Sequence, residues 1–123
     1  MIPVDTPICI DYLRLGDEVM ALLLTQGRVL MHPFVKGEIS LGNLAARGRV
    51  MRQLDQLPRA VRARDADVER LIGTENLYAS GIGYVDAHLL AAVRLTTGAL
   101  LWTRDKRLAA GAERLSVAAR AVH

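Results

Sequence analysis

Four acidic residues stand where carboxylates from separate parts of the chain could act together: Asp5, Glu38, Asp86 and Asp105. Asp5 directly follows the apolar run "IPV", Asp86 follows the glycine turn "GIG", and Asp105 ends the run "LLWTRD". Like charges held close together raise one another's pKa, so a cluster of four acids is costly without a cation to neutralise it. An all-carboxylate set suits Mg²⁺ or Mn²⁺, and the composition offers no cysteine–histidine set for zinc.

Each of these acids also has a simpler explanation when it is taken alone. Asp86 and Asp105 would act as helix-start charges, worth about 0.5–2 kcal/mol as caps. Glu38 would be a solvated residue on a helix. Asp5 is harder to explain by capping, because Thr6 is the predicted cap of a helix that has Pro7 in its first turn. The cation hypothesis therefore depends on whether the four acids meet in space.

The elements that would bring them together are short strands alternating with helices. Strands are predicted at residues 2–4, 28–31, 59–61 and 99–102, and a last one in "SVAARAV". Helices are predicted from Pro7, Asp17 and Pro33, and over residues 44–57, 65–72, 85–96 and 105–110. This alternation indicates an α/β fold, with a short parallel sheet flanked by helices on both faces. Ligands of such sheets bind beyond the carboxyl ends of the strands, the edge to which Asp5, Asp86 and Asp105 would point.

The composition favours one domain over residues 1–123, rich enough in apolar residues to bury a core. The net charge of +3 permits a polyanionic partner without requiring one. Few aromatic residues are present, so base stacking is not expected to dominate binding. Cys9, the only cysteine, is predicted to be a buried, reduced thiol of a cytoplasmic protein. Neither a signal peptide nor an apolar run of the ~20 residues that span a bilayer is expected.

Four motifs in order resemble the PIN domain and, more narrowly, the VapC toxins of bacterial toxin–antitoxin pairs: "VDTPICIDYLR", "HPFVKGEISLG", "GIGYVDAHLLAA" and "LLWTRDKRL". The resemblance runs over nearly the whole chain and implies a three-layer PIN-like fold. It also implies that Asp5, Glu38, Asp86 and Asp105 are the catalytic and metal-binding residues. The chain departs from the family pattern at two places. Pro7 replaces a small hydroxyl residue of many relatives, and Ala109 and Ala110 stand where some relatives carry a further acid.

The resemblance implies a ribonuclease dependent on Mg²⁺ or Mn²⁺, in which a metal-activated water attacks a phosphodiester and leaves a 5′-phosphate and a 3′-hydroxyl. Thr6 and Thr103 would support the acids or a phosphate. Basic residues beside the fourth acid, Arg104, Lys106 and Arg107, would contact RNA, and a looser belt of arginines lies between residues 47 and 64. The family further implies a VapB-type antitoxin that inhibits the enzyme, and a homodimer.

Other functions remain open on the residues alone. A haloacid dehalogenase-type phosphatase would need an acid at position 7, where Pro7 stands, and a receiver domain would need a central acceptor aspartate with a partner lysine. A PIN-like RNA-processing nuclease without a toxin role is an alternative, as is a non-catalytic interaction module. His32 and His88 are predicted to be structural or solvent-facing, and Trp102 to lie in the core.

Overall fold

The computed structural model describes residues 1–119 and confirms the α/β class. Two short strands and seven helices lie within these residues. In chain order they are β1 Ile2–Pro3, α1 Thr6–Leu15, α2 Glu18–Thr25, β2 Val29–Leu30, α3 Pro33–Ser40, α4 Arg47–Asp55, α5 Asp65–Thr74, α6 Tyr84–Arg94 and α7 Lys106–Arg114. None of the helices in this part of the chain combines the length and apolar character needed to cross a membrane.

The two strands pair in parallel, with Ile2 opposite Val29 and Pro3 opposite Leu30. Isolated parallel bridges extend the pairing on both sides. They join Met31 to Arg59, Val4 to Trp102 and Leu101 to Ala118. The segments therefore lie side by side in the order 58–60, β2, β1, 100–102 and 117–119.

The predicted strands are present at the expected places but are shorter than expected. The segments predicted at 59–61 and 99–102, and the last one, pair only through single bridges. Pro3 and Pro58 have no N–H group to donate to a neighbouring segment, so each contributes only its carbonyl, which accepts a hydrogen bond from the N–H of Trp102 and of Met31 respectively. Residues 120–122 of the predicted last strand lie outside the described residues.

The cap of α1 is Asp5, so the prediction that Thr6 caps this helix was wrong. Asp5 has the extended backbone of a capping residue, with φ −75° and ψ 167°, and its side chain accepts a hydrogen bond from the Ile8 N–H at 3.4 Å. Thr6 is already the first helical residue, and this frees its hydroxyl for a contact outside the helix.

Several other helices differ from their predicted bounds. The helix predicted over 44–57 is α4, which begins only at Arg47 because Ala46 has a left-handed backbone with φ 52°. The last predicted helix extends past residue 110 to Arg114, and Gly111 and Ala112 in this extension pack inward. The helix predicted over 85–96 begins one residue earlier, at Tyr84.

The core lies around α6, as its run of apolar residues predicts. Leu89, Leu90 and Val93 of this helix are buried, as are Cys9 and Trp102. Burial raises the pKa of the Cys9 thiol to about 12, which keeps it protonated. The sequence pattern predicts that Leu22 shares an apolar helix face with Leu23 and that Leu95 lies on the buried surface of the helix predicted over 85–96, but each of these leucines is 56% exposed. On α2, the buried residues are Met20 and Leu23.

Candidate active site

Three of the four acids stand at helix N-termini, where backbone N–H groups stabilise negative charge. Asp5 caps α1, and Asp105 caps α7 by accepting a hydrogen bond from the Leu108 N–H at 2.9 Å. Asp86 lies in the first turn of α6. The capping explanation is therefore correct for Asp105, and it applies to Asp5 as well. Capping and a shared site are compatible, because an N-cap carboxylate keeps oxygen lone pairs for other partners.

The bridge between Val4 and Trp102 brings the carboxyl ends of β1 and the segment 100–102 together. The next residue on one side is Asp5, and on the other it is Thr103. The Thr103 hydroxyl donates a short hydrogen bond to Asp5 Oδ2, and its oxygen accepts one from the Asp105 N–H at 3.0 Å. The Thr103 hydroxyl thus connects two of the predicted acids, Asp5 and Asp105. Its hydrogen bond to Asp5 joins residues that are 98 positions apart in the chain.

Asp5 is the most deeply placed of the four acids, at 2% exposure. Burial raises its pKa, since a charged carboxylate loses hydration, and the charge of Asp105 adds to this rise. The hydrogen bonds from Thr103 and from the Ile8 N–H act in the opposite direction and favour the ionised form. Thr103 therefore helps to keep a buried carboxylate charged.

The pKa of Asp86 is affected by the charges of the three other acids. Burial raises its pKa to about 6, and the charges of Asp5, Asp105 and Glu38 contribute in that order. The backbone N–H of Gly83 at the start of the helix opposes the rise. The fold thus brings all four predicted acids close enough for their charges to interact.

Glu38 comes from α3 and is exposed on the rim of a cleft. The Thr6 hydroxyl donates a hydrogen bond to Glu38 Oε1 at 2.6 Å and so joins α1 to α3. The cleft has a volume of about 690 Å³. It is lined by residues of α1, α3 and the start of α6, namely Thr6, Pro7, Ile10, Asp11, Glu38, Gly83, Tyr84, Val85 and Asp86.

Two residues of this cleft, Asp11 and Tyr84, were missed in the sequence interpretation. Asp11 follows Pro7 by four positions, which places both residues on the same side of a helix, and this spacing could have indicated it. Tyr84 precedes Asp86 by two residues, but no local signal shows whether its ring enters the cleft or the core.

The acids fit a hard divalent cation by their chemistry. They offer only carboxylate oxygens, and their mutual repulsion raises the pKa of Asp86, so a bound cation would be favoured here. Across residues 1–119, no three acidic, histidine or cysteine side chains are arranged so that they could hold a metal ion as they stand. Hydrogen bonds engage Asp5, Glu38 and Asp105 individually, and a shared ion would require their side chains to turn toward one another.

The three predicted RNA-contacting residues occupy different environments. The Arg104 guanidinium forms an ion pair with Asp17 Oδ2 at 2.6 Å and lies 5.0 Å from the centre of the Trp102 ring. Lys106 and Arg107 are exposed in the first turn of α7. Gly81 allows Arg107 to lie against the turn before α6, because a Cβ added at Gly81 would come within 2.6 Å of the Arg107 Cδ atom.

The arginine belt does not form one continuous surface. Arg62 lies 4.8 Å from the centre of the Phe34 ring, and Arg64 pairs with Asp67 at 3.2 Å. Arg47 donates a hydrogen bond to the carbonyl of Ser40. Several of these cations therefore already have partners within the chain.

The two histidines are fully buried and belong to the packing beneath the cleft. His32 Nε2 and both nitrogens of His88 have no hydrogen-bond partner among the described residues. Burial lowers the pKa of both side chains, to about 4 for His32, so both are neutral at pH 7. The structural alternative predicted for them is therefore correct.

Replacing Thr103 by valine is expected to reduce the RNA cleavage that the family resemblance implies by about 10- to 150-fold, since a hydrogen bond to a charged group contributes about 1.5–3 kcal/mol. Without this donor the pKa of Asp5 rises further, so the acid limb of the pH–activity profile should move to higher pH. Thr103→Ser keeps the hydroxyl and should behave nearly as the natural protein. A serine variant as impaired as the valine variant would show that the methyl group matters instead.

Fold and cleft together define an α/β protein with a cluster of carboxylates at the carboxyl edge of a parallel sheet. The chain is similar to ribonuclease VapC32 of Mycobacterium tuberculosis, found in two strains. The two are 41% identical over 118 residues, which cover 96% of this chain and 95% of the relative. No family model matches the chain, and no solved structure does.

The similarity extends over nearly the full length of both chains, so the protein belongs to the VapC family of toxin ribonucleases. The resemblance inferred from the four motifs is thereby confirmed.

Proposed function

We propose that this protein is the ribonuclease toxin of a toxin–antitoxin pair and cleaves RNA at the cleft beside Asp86. The observation that carries the proposal is the 41% identity to a VapC ribonuclease over 96% of the chain. The electrostatic coupling of Asp86 to Asp5, Asp105 and Glu38 supports the location of the reaction. A non-catalytic module would have no use for a cluster of acids that raises its own pKa values.

In this proposal Asp5, Asp86 and Asp105 would hold Mg²⁺ or Mn²⁺, and Glu38 would complete the set directly or orient a water. When bound, the ion would polarise a phosphate oxygen and lower the pKa of an attacking water. The Thr103 hydroxyl donates a hydrogen bond that favours the ionised form of Asp5, and the Thr6 hydroxyl donates one that orients Glu38. Asp5 is the most deeply buried of the four acids, so a cation would stabilise its charge most.

The substrate must approach a negatively charged cleft, and this requires nearby cations. Lys106 and Arg107 stand in the first turn of α7, next to Asp105, and no ion pair involves either of them among residues 1–119. They are the proposed contacts for RNA phosphates. Arg104 is proposed as a third contact, although its pairing with Asp17 would have to open or be shared. Single-stranded loops are the proposed targets, because their backbone can enter a cleft.

The family also supports the remaining parts of the proposal. The chain would be a single PIN domain over residues 1–123, with helices layered on both faces of the sheet. It would act in the cytoplasm, be inhibited by a VapB-type antitoxin and form a homodimer. The antitoxin would place a basic side chain among the four acids, since a cation of any kind relieves their repulsion.

The experiment that tests the proposal is an RNA cleavage assay on the purified chain with Mg²⁺, Mn²⁺ or EDTA. We expect cleavage with either metal, loss of cleavage in EDTA, and inhibition when the cognate antitoxin is added. Expression of the chain without antitoxin should stop growth. Equal cleavage with and without EDTA would contradict metal dependence, whereas cleavage combined with normal growth would point to a nuclease without a toxin role.

A further inference from the structure

We propose that the ring of Tyr84 is a stacking surface for one nucleobase of single-stranded RNA, next to the phosphate that enters the acidic cleft. The inference rests on the proposed function, because it assigns a substrate contact at the same site. Tyr84 is 50% exposed and lines the cleft together with Asp86 and Glu38. A large aromatic ring that is half open to solvent, in the cleft of a candidate catalytic carboxylate, offers a flat face that a nucleobase can cover.

The Tyr84 ring packs against other aromatic side chains. Its centroid lies 4.7 Å from that of His88 with an interplanar angle of 85°, an edge-to-face contact. His88 in turn packs on Phe34, with centroids 4.6 Å apart. His88 and His32 are fully buried, so the base of this cluster is fixed in the core. A ring positioned in advance loses little conformational entropy when a base stacks on it.

Tyr84 is distinguished from the four other aromatic residues by its place. Trp102 is buried, Phe34 lies beneath the cleft, and neither Tyr12 nor Tyr78 lines it. Tyr78 is also exposed, at 63%, but its hydroxyl bonds to Asn76. Tyr84 is thus the aromatic residue that lines the acidic cleft within residues 1–119.

The chemistry of the surroundings favours a nucleobase over a peptide side chain. Asp86 and Glu38 line the same cleft as the ring, so the group that enters the cleft is expected to be a phosphate bridged by a cation, and in RNA a base follows each phosphate. A base offers a flat, uncharged face that can stack on the phenol ring without placing negative charge near the acids. One ring can hold one base, which agrees with the low aromatic content of the chain.

The test measures binding of a fluorescent single-stranded RNA in EDTA by anisotropy, so that cleavage plays no part. Stacking of one base contributes about 1–3 kcal/mol, so Tyr84→Leu should weaken binding by about 5- to 100-fold. Tyr84→Phe keeps the ring and should stay within about twofold of the natural chain. Tyr78→Leu, which changes an exposed tyrosine outside the cleft, is the matched control and should have no effect.

An abasic site moved through each position of the RNA identifies the stacked base. At one position it should weaken binding to the natural chain by the same factor as Tyr84→Leu, and it should cause no further loss in that variant. Equal affinity of Tyr84→Leu and the natural chain, equal losses for Tyr84→Phe and Tyr84→Leu, or no RNA binding at all would each overturn the inference. A Tyr84→Leu variant that binds RNA normally but loses antitoxin affinity would reassign the ring to a peptide contact.

The outcomes for the two proposals are separable. A chain that shows the Tyr84 pattern in EDTA but does not cleave RNA with Mg²⁺ or Mn²⁺ would retain the stacking surface and contradict the nuclease. If the natural chain cleaves RNA and the Tyr84→Leu variant binds RNA with full affinity, the nuclease is retained and the stacking surface is contradicted.

Discussion

Asp5→Asn is expected to lower the rate of RNA cleavage by at least about 10²–10³-fold, the cost of removing a group that stabilises charge in a preorganised site. Asn has nearly the same shape, and its side-chain oxygen can still accept the hydrogen bond from the Ile8 N–H, whereas the NH₂ group in place of Oδ2 cannot accept the one that the Thr103 hydroxyl donates. The cap of α1 should therefore survive. The change removes the negative charge of a carboxylate that is only 2% exposed. Single-turnover cleavage with saturating Mg²⁺ measures the effect.

Asp11→Asn provides a matched control for this experiment. Asp11 lines the same cleft from the same helix, but its charge is not among those that raise the pKa of Asp86. Its replacement should leave cleavage within a few-fold of the natural rate. Burial raises the pKa of Asp5, so the neutral Asn at position 5 should leave the melting temperature unchanged or higher. Undiminished cleavage by Asp5→Asn would refute its role or reveal a contaminating nuclease.

Asp86→Asn is expected to produce a comparable loss of cleavage together with a gain in stability when no metal is present. The carboxyl has a pKa of about 6 in the folded protein, against about 4 in an unfolded chain. The folded state therefore binds this proton more tightly than the unfolded state does. Its contribution to stability is fully present below about pH 4 and is lost as the pH rises through about 6. Above that pH the charged carboxylate opposes folding.

The variant removes this penalty, and at pH 7.5 in EDTA it should unfold with a free energy about 1–2 kcal/mol higher than the natural chain. Urea unfolding of both proteins between pH 4 and pH 8 measures the difference, which should be smallest at the acid end. Saturating Mg²⁺ should reverse the order, because a cation bound only to the folded state stabilises the natural chain more. A pH-independent difference, or a variant that is less stable at pH 7.5 in EDTA, would contradict the coupling of the four acids.

The two effects have a common cause, which is the burial of carboxylates that the fold also holds near one another, because loss of hydration and mutual repulsion both oppose their charge. A site of this kind costs stability when it is empty of cations, and the same repulsion provides the affinity for a cation. Substitutions of Asp5 and Asp86 should therefore lower activity and raise stability. Substitution of Thr103 should reduce activity without the compensating gain, because the hydroxyl stabilises the charged form of Asp5.

Much of the candidate site could be predicted from the sequence because its signals are local. An acid that follows an apolar run and precedes a helix start tends to cap that helix, and such a start needs only a few neighbouring residues to form. Asp105 occurs in this way, and it caps α7 as predicted. The alternation of strands and helices predicted the parallel sheet, and the carboxyl ends of parallel strands share one edge. The burial of Cys9 and Trp102 follows from their apolar neighbours.

The assignments that failed or were missed depend on residues far apart in the chain. The choice of Asp5 instead of Thr6 as the cap leaves the Thr6 hydroxyl free for Glu38, a contact across 32 positions. Pairing of Arg104 with Asp17 spans 87 positions, and the exposure of Leu22 and Leu95 depends on which helix faces find a neighbour. None of these outcomes has a periodic or spacing signal, because each is decided by packing between elements.

The sequence by itself determined the kinds of group available, four carboxylates and two hydroxyls, and the local elements that begin or end beside them. Only the tertiary structure decided that Thr103 contacts Asp5, that three other acids raise the pKa of Asp86, and that Tyr84 opens into the same cleft. The physical reason is the separation along the chain over which each effect acts. Capping and alternation act over a few residues, whereas charge coupling and burial depend on distances that only the packed chain sets.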